Sequence, residues 1–301
     1  MLMNFLLLFS SISIGLTNSN WLVVMLMVEF GLFMVVFMSS NYLSLYSMRS
    51  VFKYFFVQSV SGLVLLVSGI SVFMLNSPSV CSEIFLLSAI LLKLGIFPMY
   101  FWVLPVYSES NYMILGVVGF MAKILPLYIY NFYVSLGPSK VMQIMSFFAV
   151  SSIAMGAWLG LPAKNYRTFL GASSVAHSGW FILASHSSSI LFYFWCYGLS
   201  FLLLLMMMQM DHKIMMALNT LALGGLPPFS VFLGKLWVIY SWVENSMPLV
   251  VIMMALLFSV VSLFYYLKFS FQMMFSSSNS TFGFISFSLV LNFTSVFFFW
   301  M

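Results

Sequence analysis

Apolar stretches of helical length, separated by short polar punctuation, run along almost the whole chain. They place spans near residues 1–16, 21–38, 51–75, 82–104, 111–134, 140–160, 168–185, 188–209, 214–240, 248–270 and 283–300. Most approach or exceed the roughly 20 mainly apolar residues that a helix needs to cross a bilayer. Between them stand Thr17 to Asn20, Asn76 to Ser79, Gly137 to Lys140, Lys164 to Arg167, Asp211 to Lys213 and Ser276 to Ser280, rich in turn and loop residues. No polar stretch is long enough for a second, soluble domain. The pattern predicts an all-α integral membrane protein of about eleven transmembrane helices, a single membrane domain over residues 1–301.

Composition closes off the soluble alternative. Hydrophobic residues make up 63% of the chain and charged residues 5%, with a mean hydropathy of +1.13. A soluble domain carries roughly 25% charged residues, and the ten Lys and Arg with five Asp and Glu present here could not cover a surface in water. The net charge of +5 comes from scattered single residues with no basic run, so it does not point to nucleic acid. Cys81 and Cys196 lie in or beside apolar segments without metal or redox spacing, and read as small apolar residues. The stretch Met1 to Leu16 has no basic leader and no cleavage pattern, and is expected to be a retained first span. The abundance of Phe (35) and Met (26) fits a chain made inside an organelle.

Loop charge predicts orientation. On the side of the N-terminus the expected loops carry Arg49, Lys53, Lys164, Arg167, Lys213 and Lys268; the opposite side carries Lys140. By the positive-inside bias the N-terminus faces the compartment of synthesis. An odd number of spans then puts the C-terminus on the other side.

Four charged residues belong to no loop. Glu29, Lys93 and Lys123 sit near the middle of predicted spans and Lys235 in the second half of a broken one, and His177 is also mid-span. A charge at the bilayer centre costs about 2.5–3.5 kcal/mol on insertion scales, and a mid-span lysine cannot reach either interface by snorkelling. A Glu29–Lys93 pair could be structural only, but it would leave Lys123 and Lys235 without an acidic partner inside the membrane. Burial without a counter-charge penalises an ammonium relative to the neutral amine. A lysine that can be either near pH 7 is what a proton carrier requires. His177 reads equally well as a satisfied core histidine or as a functional contact.

Two spans are also interrupted. Gly95 and Pro98 follow Lys93 closely, and Gly224, Gly225, Pro227 and Pro228 precede Lys235. Proline removes an intrahelical hydrogen bond, and in lipid the freed backbone must be buried in protein or line a hydrated cavity. Interrupted helices in two halves of a membrane chain point to an ion path built on internal repeats. The halves are expected at residues 1–134 and 140–270, with a C-terminal span over 283–300. A packing kink would leave unexplained why a buried lysine accompanies each break. There is no phosphate-binding loop, catalytic triad or metal spacing, and Gly224-Gly225 lies inside a span.

Five patches carry a family resemblance. Glu29 lies in the second span. Lys93 to Trp102 (KLGIFPMYFW) is similar to K-L-G-x-x-P-F-H-F-W, and Lys123 to Pro126 (KILP) to K-x-x-P. Arg167 to Trp180 (RTFLGASSVAHSGW) is similar to R-x-x-L-A-Y-S-S-I-A-H-x-G-W, and Leu223 to Lys235 (LGGLPPFSVFLGK) to L-G-G-L-P-P-x-x-G-F-x-x-K. Together they resemble the chain 2 family of mitochondrial NADH:ubiquinone oxidoreductase, respiratory complex I, in its shortened animal form. The last patch is shared more widely among antiporter-like subunits. Tyr100 stands where the pattern has His, Glu109 comes four residues after Pro105 instead of beside it, and Val231 and Gly234 replace a glycine and a proline. All four buried ionisable residues keep to the pattern.

The resemblance implies antiporter-like inverted repeats and a proton-translocating membrane-arm subunit of complex I, driven by quinone reduction elsewhere in the complex. NADH, FMN, iron–sulfur clusters and ubiquinone would be bound by other subunits, with no cofactor, metal or redox site in this chain. Glu29 and Lys93 would form a modulating pair, Lys123 a central relay, Lys235 the terminal carrier, and His177 a site on the hydrated connection. Partners would be other membrane-arm subunits, including neighbouring antiporter-like chains, and lipids. The place would be the mitochondrial inner membrane, N-terminus in the matrix and C-terminus in the intermembrane space, from a mitochondrial gene. Two other classes stay open: a stand-alone cation/proton antiporter, and a structural subunit that fills the membrane arm without conducting.

Overall fold

A backbone in lipid has no water to bond, so it must satisfy its amides within helices or in a closed barrel. The chain takes the helical route in a computed structural model, which describes residues 2–40, 45–74, 79–136, 139–187, 189–275 and 292. No strand occurs among the described residues. The helices fall into two compact units, Met1–Gly137 and Pro138–Met301.

The first unit contains α1 (Leu2–Thr17), α2 (Trp21–Ser40), α3 (Leu45–Gly69), α4 (Val80–Leu94), α5 (Val103–Glu109), α6 (Tyr112–Gly116) and α7 (Ala122–Ser135). Five residues of π-helix, Ile70–Met74, extend α3, and Val117–Met121 join α6 to α7 in the same way. Helix α4 starts from a capping box in which the Ser79 side chain accepts from the Ser82 backbone and the Ser82 side chain returns the favour. The second unit contains α8 (Ser139–Gly160), α9 (Tyr166–His186), α10 (Ile190–Gln209), α11 (Lys213–Gly224), α12 (Ser230–Glu244) and α13 (Leu249–Phe275). Its core is α9, where every residue from Phe169 to His186 is buried. Small residues let α8 lie close against it: a Cβ added to Gly156 would come within 2.6 Å of the Ala176 backbone nitrogen.

The outer faces are apolar. Phe9, Phe56, Leu63, Trp158, Leu191 and Val250 are all exposed, in a density that suits hydrocarbon and not water. Among the described residues, six helical runs are long and apolar enough to cross a membrane: Trp21–Ser39, Met48–Met74, Tyr112–Ser135, Val141–Gly160, Ile190–Gln209 and Leu249–Phe275. The difference from the expected eleven has particular causes. Two expected spans are cut by breaks into shorter helices, α1 is short, and α9 carries serines and histidines through its length. The expected span over 283–300 lies outside the described residues, except for Asn292.

One boundary shifts in an informative way. Helix α3 already begins at Leu45, so Arg49 and Lys53 lie within helix and not in the preceding loop. Lys53 is held there by an ion pair with Glu109 at 3.0 Å, between the first part of α3 and the end of α5.

Candidate functional site

The first unit builds its polar centre where α4 breaks. Gly95 ends the helix in the left-handed region, with φ of 68°, where a Cβ would be strained. The Gly95 and Ile96 amides bond back to the last turn of α4, and the Trp102 indole nitrogen donates to the Leu92 carbonyl at 2.9 Å. The chain leaves past Pro98.

Lys93 sits just before this break and is buried. Its ammonium meets Glu29 Oε1 at 3.4 Å, a pair that joins α4 to α2. It also donates to the Gln58 carbonyl on α3 at 3.4 Å, while the Gln58 side-chain amide donates to the Lys93 carbonyl at 3.4 Å. Gln58 thus holds both ends of the residue, and gives the Lys93 carbonyl a partner that the broken helix cannot supply. The Glu29 side chain is 30% exposed, so the pair has one dry member and one partly open member.

Beside Lys93 lies a cavity of about 40 Å³, lined by Lys93, Gln58, Tyr54 and Ser11 and, on another side, by Met121, Ala122, Leu125 and Pro126. Those last four residues bracket Lys123, which is itself buried at the start of α7. At roughly 10–15 Å³ for each water, the cavity has room for about three. The π-helical segment Val117–Met121 sets the turn before Lys123, and Pro126 the turn after it. Such segments recur at functional sites in helices.

The second unit builds a parallel break with different parts. Gly225 ends α11 in the left-handed region, with φ of 77°, and the Gly225 and Leu226 amides bond back to Ala222 and Leu221. Here the lysine comes after the break. Lys235 reaches back from α12, donates to the Gly224 carbonyl at 3.2 Å, and lies over the Trp180 ring at 5.7 Å. A cation at a helix C-terminus sits at the negative end of its dipole. A Cβ on Gly225 would approach the Lys235 ammonium to 3.0 Å, so the glycine leaves room for it.

His177, buried at the middle of α9, has a hydroxyl on each ring nitrogen. Tyr193 contacts Nδ1 at 2.7 Å and Tyr266 contacts Nε2 at 3.3 Å. A neutral imidazole accepts at one nitrogen and donates at the other, so Tyr193, His177 and Tyr266 form a line along which a proton can be handed on.

No protein-family model matches the chain. NADH-ubiquinone oxidoreductase chain 2 of Albinaria caerulea is 33% identical over 267 residues, covering 89% of this chain and 87% of that protein. The chain 2 of Oryzorictes hova is 28% identical over 92% of this chain and 87% of its own length. The chain belongs to the NADH-ubiquinone oxidoreductase chain 2 family. Among solved structures, a chain of respiratory complex I from Thermus thermophilus superposes with a TM-score of 0.78 at 17% identity, over 97% of this chain and 75% of that one. At that identity the likeness speaks for the fold alone.

As a chain 2 family member it is a multi-pass membrane protein, and the expected residues distribute as follows. In the first unit, the structure joins Glu29 to Lys93, and Lys123 lies between residues, Ala122 and Leu125, that line the cavity beside Lys93. In the second unit Lys235 is seated at its own break over the Trp180 ring, and His177 between two tyrosines. Glu109 pairs with Lys53, and Tyr100 stacks on Phe97 with ring centres 6.3 Å apart. Sequence reasoning missed Gln58, Tyr193 and Tyr266, which sit in apolar stretches without a motif, and passed over His186, buried against Trp242. Trp180 lies in the Arg167 to Trp180 patch, but nothing in spacing ties it to Lys235.

Proposed function

We propose that this chain is a proton-translocating membrane-arm subunit of an NADH:ubiquinone oxidoreductase. Lys93, Lys123, His177 and Lys235 carry protons, and Glu29 modulates Lys93. The observation that carries the reading is the Glu29–Lys93 pair at 3.4 Å, placed beside a cavity that can hold water. While Glu29 is near, the Lys93 ammonium is favoured. When the pair opens, the ammonium loses its counter-charge, and its proton can leave through water toward Lys123. At about 4 Å and an effective dielectric near 20, a unit pair is worth about 4 kcal/mol, enough to switch a lysine between its two states. In the second unit the Tyr193–His177–Tyr266 line offers transfer, and Lys235 offers a seat for a charge at a helix end.

In this reading quinone reduction elsewhere in the complex supplies the energy, and NADH, FMN, iron–sulfur clusters and ubiquinone belong to other subunits. Partners are neighbouring membrane-arm subunits, antiporter-like chains among them, and lipids. The seat is the mitochondrial inner membrane with the N-terminus toward the matrix. The chain-2 name of the relatives, and the respiratory complex I from which the matched solved chain comes, support a complex-bound subunit over a stand-alone antiporter.

The test is a Lys93→Ala variant of the assembled complex, measured for protons moved per electron and for complex content on native gels. The expected result is a fall in protons per electron at retained complex content. A fall in complex content with unchanged protons per electron would favour the scaffold reading instead.

A further inference from the structure

Helix α3 together with its π-helical extension contains two interior glycines, Gly62 and Gly69. Glycine is disfavoured in a helix interior relative to alanine, so each calls for a reason of space. At Gly69 the reason is packing: an added Cβ would run into the Trp21 ring. At Gly62 it is different in kind. The three atoms that a Cβ there would meet all belong to the Glu29 carboxyl group: Oε1, Cδ and Oε2. Oε1 is the oxygen that pairs with Lys93.

The surroundings make this a built seat. Gln58, Ser61, Gly62 and Leu65 are all buried and recur at the spacing of one helical face. The Gln58 carbonyl on that face accepts from both Lys93 Nζ and the Ser61 hydroxyl. On α2, Met25 and Leu32 are buried on the side of the helix that carries Glu29. The carboxylate therefore lies against bare backbone of α3, one turn along from the carbonyl that holds the same ammonium.

We infer that Gly62 is a positioning residue for the Glu29–Lys93 pair: its missing side chain is the slot into which the Glu29 carboxylate closes. This rests on the proposed modulating role of that pair and adds the element that sets its geometry. With any Cβ at position 62 the carboxylate must rotate out of the slot, leaving Lys93 with the Gln58 carbonyl but without its counter-charge.

The experiment compares Gly62→Ala, Glu29→Gln, the double variant, and Gly69→Ala as a packing control, all in the assembled complex. Protons per electron, their pH profile and complex content are read together. Gly62→Ala should lose protons per electron to the level of Glu29→Gln, with the same displaced pH profile, and should add nothing in the Glu29→Gln background. Gly69→Ala should lower complex content while leaving protons per electron unchanged. The inference is overturned if Gly62→Ala pumps with the wild-type profile, or if its loss adds in full to that of Glu29→Gln. Should Gly62→Ala fail to assemble, it is combined with Glu29→Ala: recovery of the complex supports a clash with the carboxylate, and continued failure overturns it. If Glu29→Gln itself changes nothing, the modulating role falls and this inference falls with it. If Glu29→Gln acts and Gly62→Ala does not, only the slot is lost.

Discussion

The two helix breaks share a backbone and differ in what they do with it. Each runs from an α-helix through a left-handed glycine, Gly95 or Gly225, and two further residues to a proline in the cis form, Pro98 or Pro228. At the first break the lysine precedes the glycine, and the freed carbonyls of Leu92 and Lys93 are taken by neutral donors, Trp102 and Gln58. Lys93 Nζ is thereby released to face a carboxylate. At the second break the lysine follows the glycine and itself caps the Gly224 carbonyl. The first lysine faces a carboxylate and the second the carbonyl end of a helix. In the proposed function the same turn serves a switch at the first break and a resting seat for a charge at the second, according to which group closes the helix end.

The strongest way to break that contrast is Lys235→Arg. Arginine keeps a positive charge and can still donate to the Gly224 carbonyl and lie on Trp180, but it does not deprotonate in proteins. The larger head strains the packing by about 1–3 kcal/mol, so complex content should drop modestly. Protons per electron should fall by the full share this subunit supplies, as read in proteoliposomes against the wild type. Wild-type output with arginine in place would make Lys235 a structural cap and leave the first break alone in charge of transfer.

The next effect sharpens the comparison by treating the glycines alike. Gly95→Ala and Gly225→Ala each force an alanine into the left-handed region, at about 1–2 kcal/mol. Both should reduce the amount of intact complex on native gels, Gly95→Ala the more, because its Cβ would also run into Val103. Only Gly225→Ala should also lower protons per electron, because its Cβ would stand 3.0 Å from the Lys235 ammonium. The Cβ at Gly95 meets Val103 and Trp102 instead. Equal pumping by the two variants would mean that Lys235 tolerates displacement and that its seat is not specific.

Much of this was legible in the sequence because a bilayer makes exceptions expensive. Glu29, Lys93, Lys123 and Lys235 stood out as charges in apolar runs, and the Gly and Pro clusters beside two of them marked the breaks. Gln58, Tyr193 and Tyr266 did not stand out, since a neutral polar residue in a span costs little enough to be common and has no fixed spacing from its partner. Gly62 was hidden for a related reason: a glycine in a span reads as a packing residue until the atoms opposite it are known. The span count was the least legible feature. A hydropathy window joins α11 to α12 across the break, and it credits α9 with an apolarity that its serines and histidines lower.

The smallest predicted effect tests the neutral side of the comparison. Trp102→Phe removes the donor to the Leu92 carbonyl but keeps an aromatic ring next to Tyr54, whose ring centre lies 5.7 Å away. The Leu92 carbonyl retains the Gly95 amide at 3.3 Å, so it is weakened and not orphaned. The cost should be about 1 kcal/mol, the net worth of an ordinary hydrogen bond. It should appear as a slightly lower temperature of thermal inactivation, with protons per electron unchanged. If closing the first break with a neutral group is what frees Lys93 to switch, a weaker neutral closure alters only stability. A change in protons per electron from Trp102→Phe would instead couple the indole to the charge on Lys93. The first break would then work as the second does, through its helix end and not through its carboxylate.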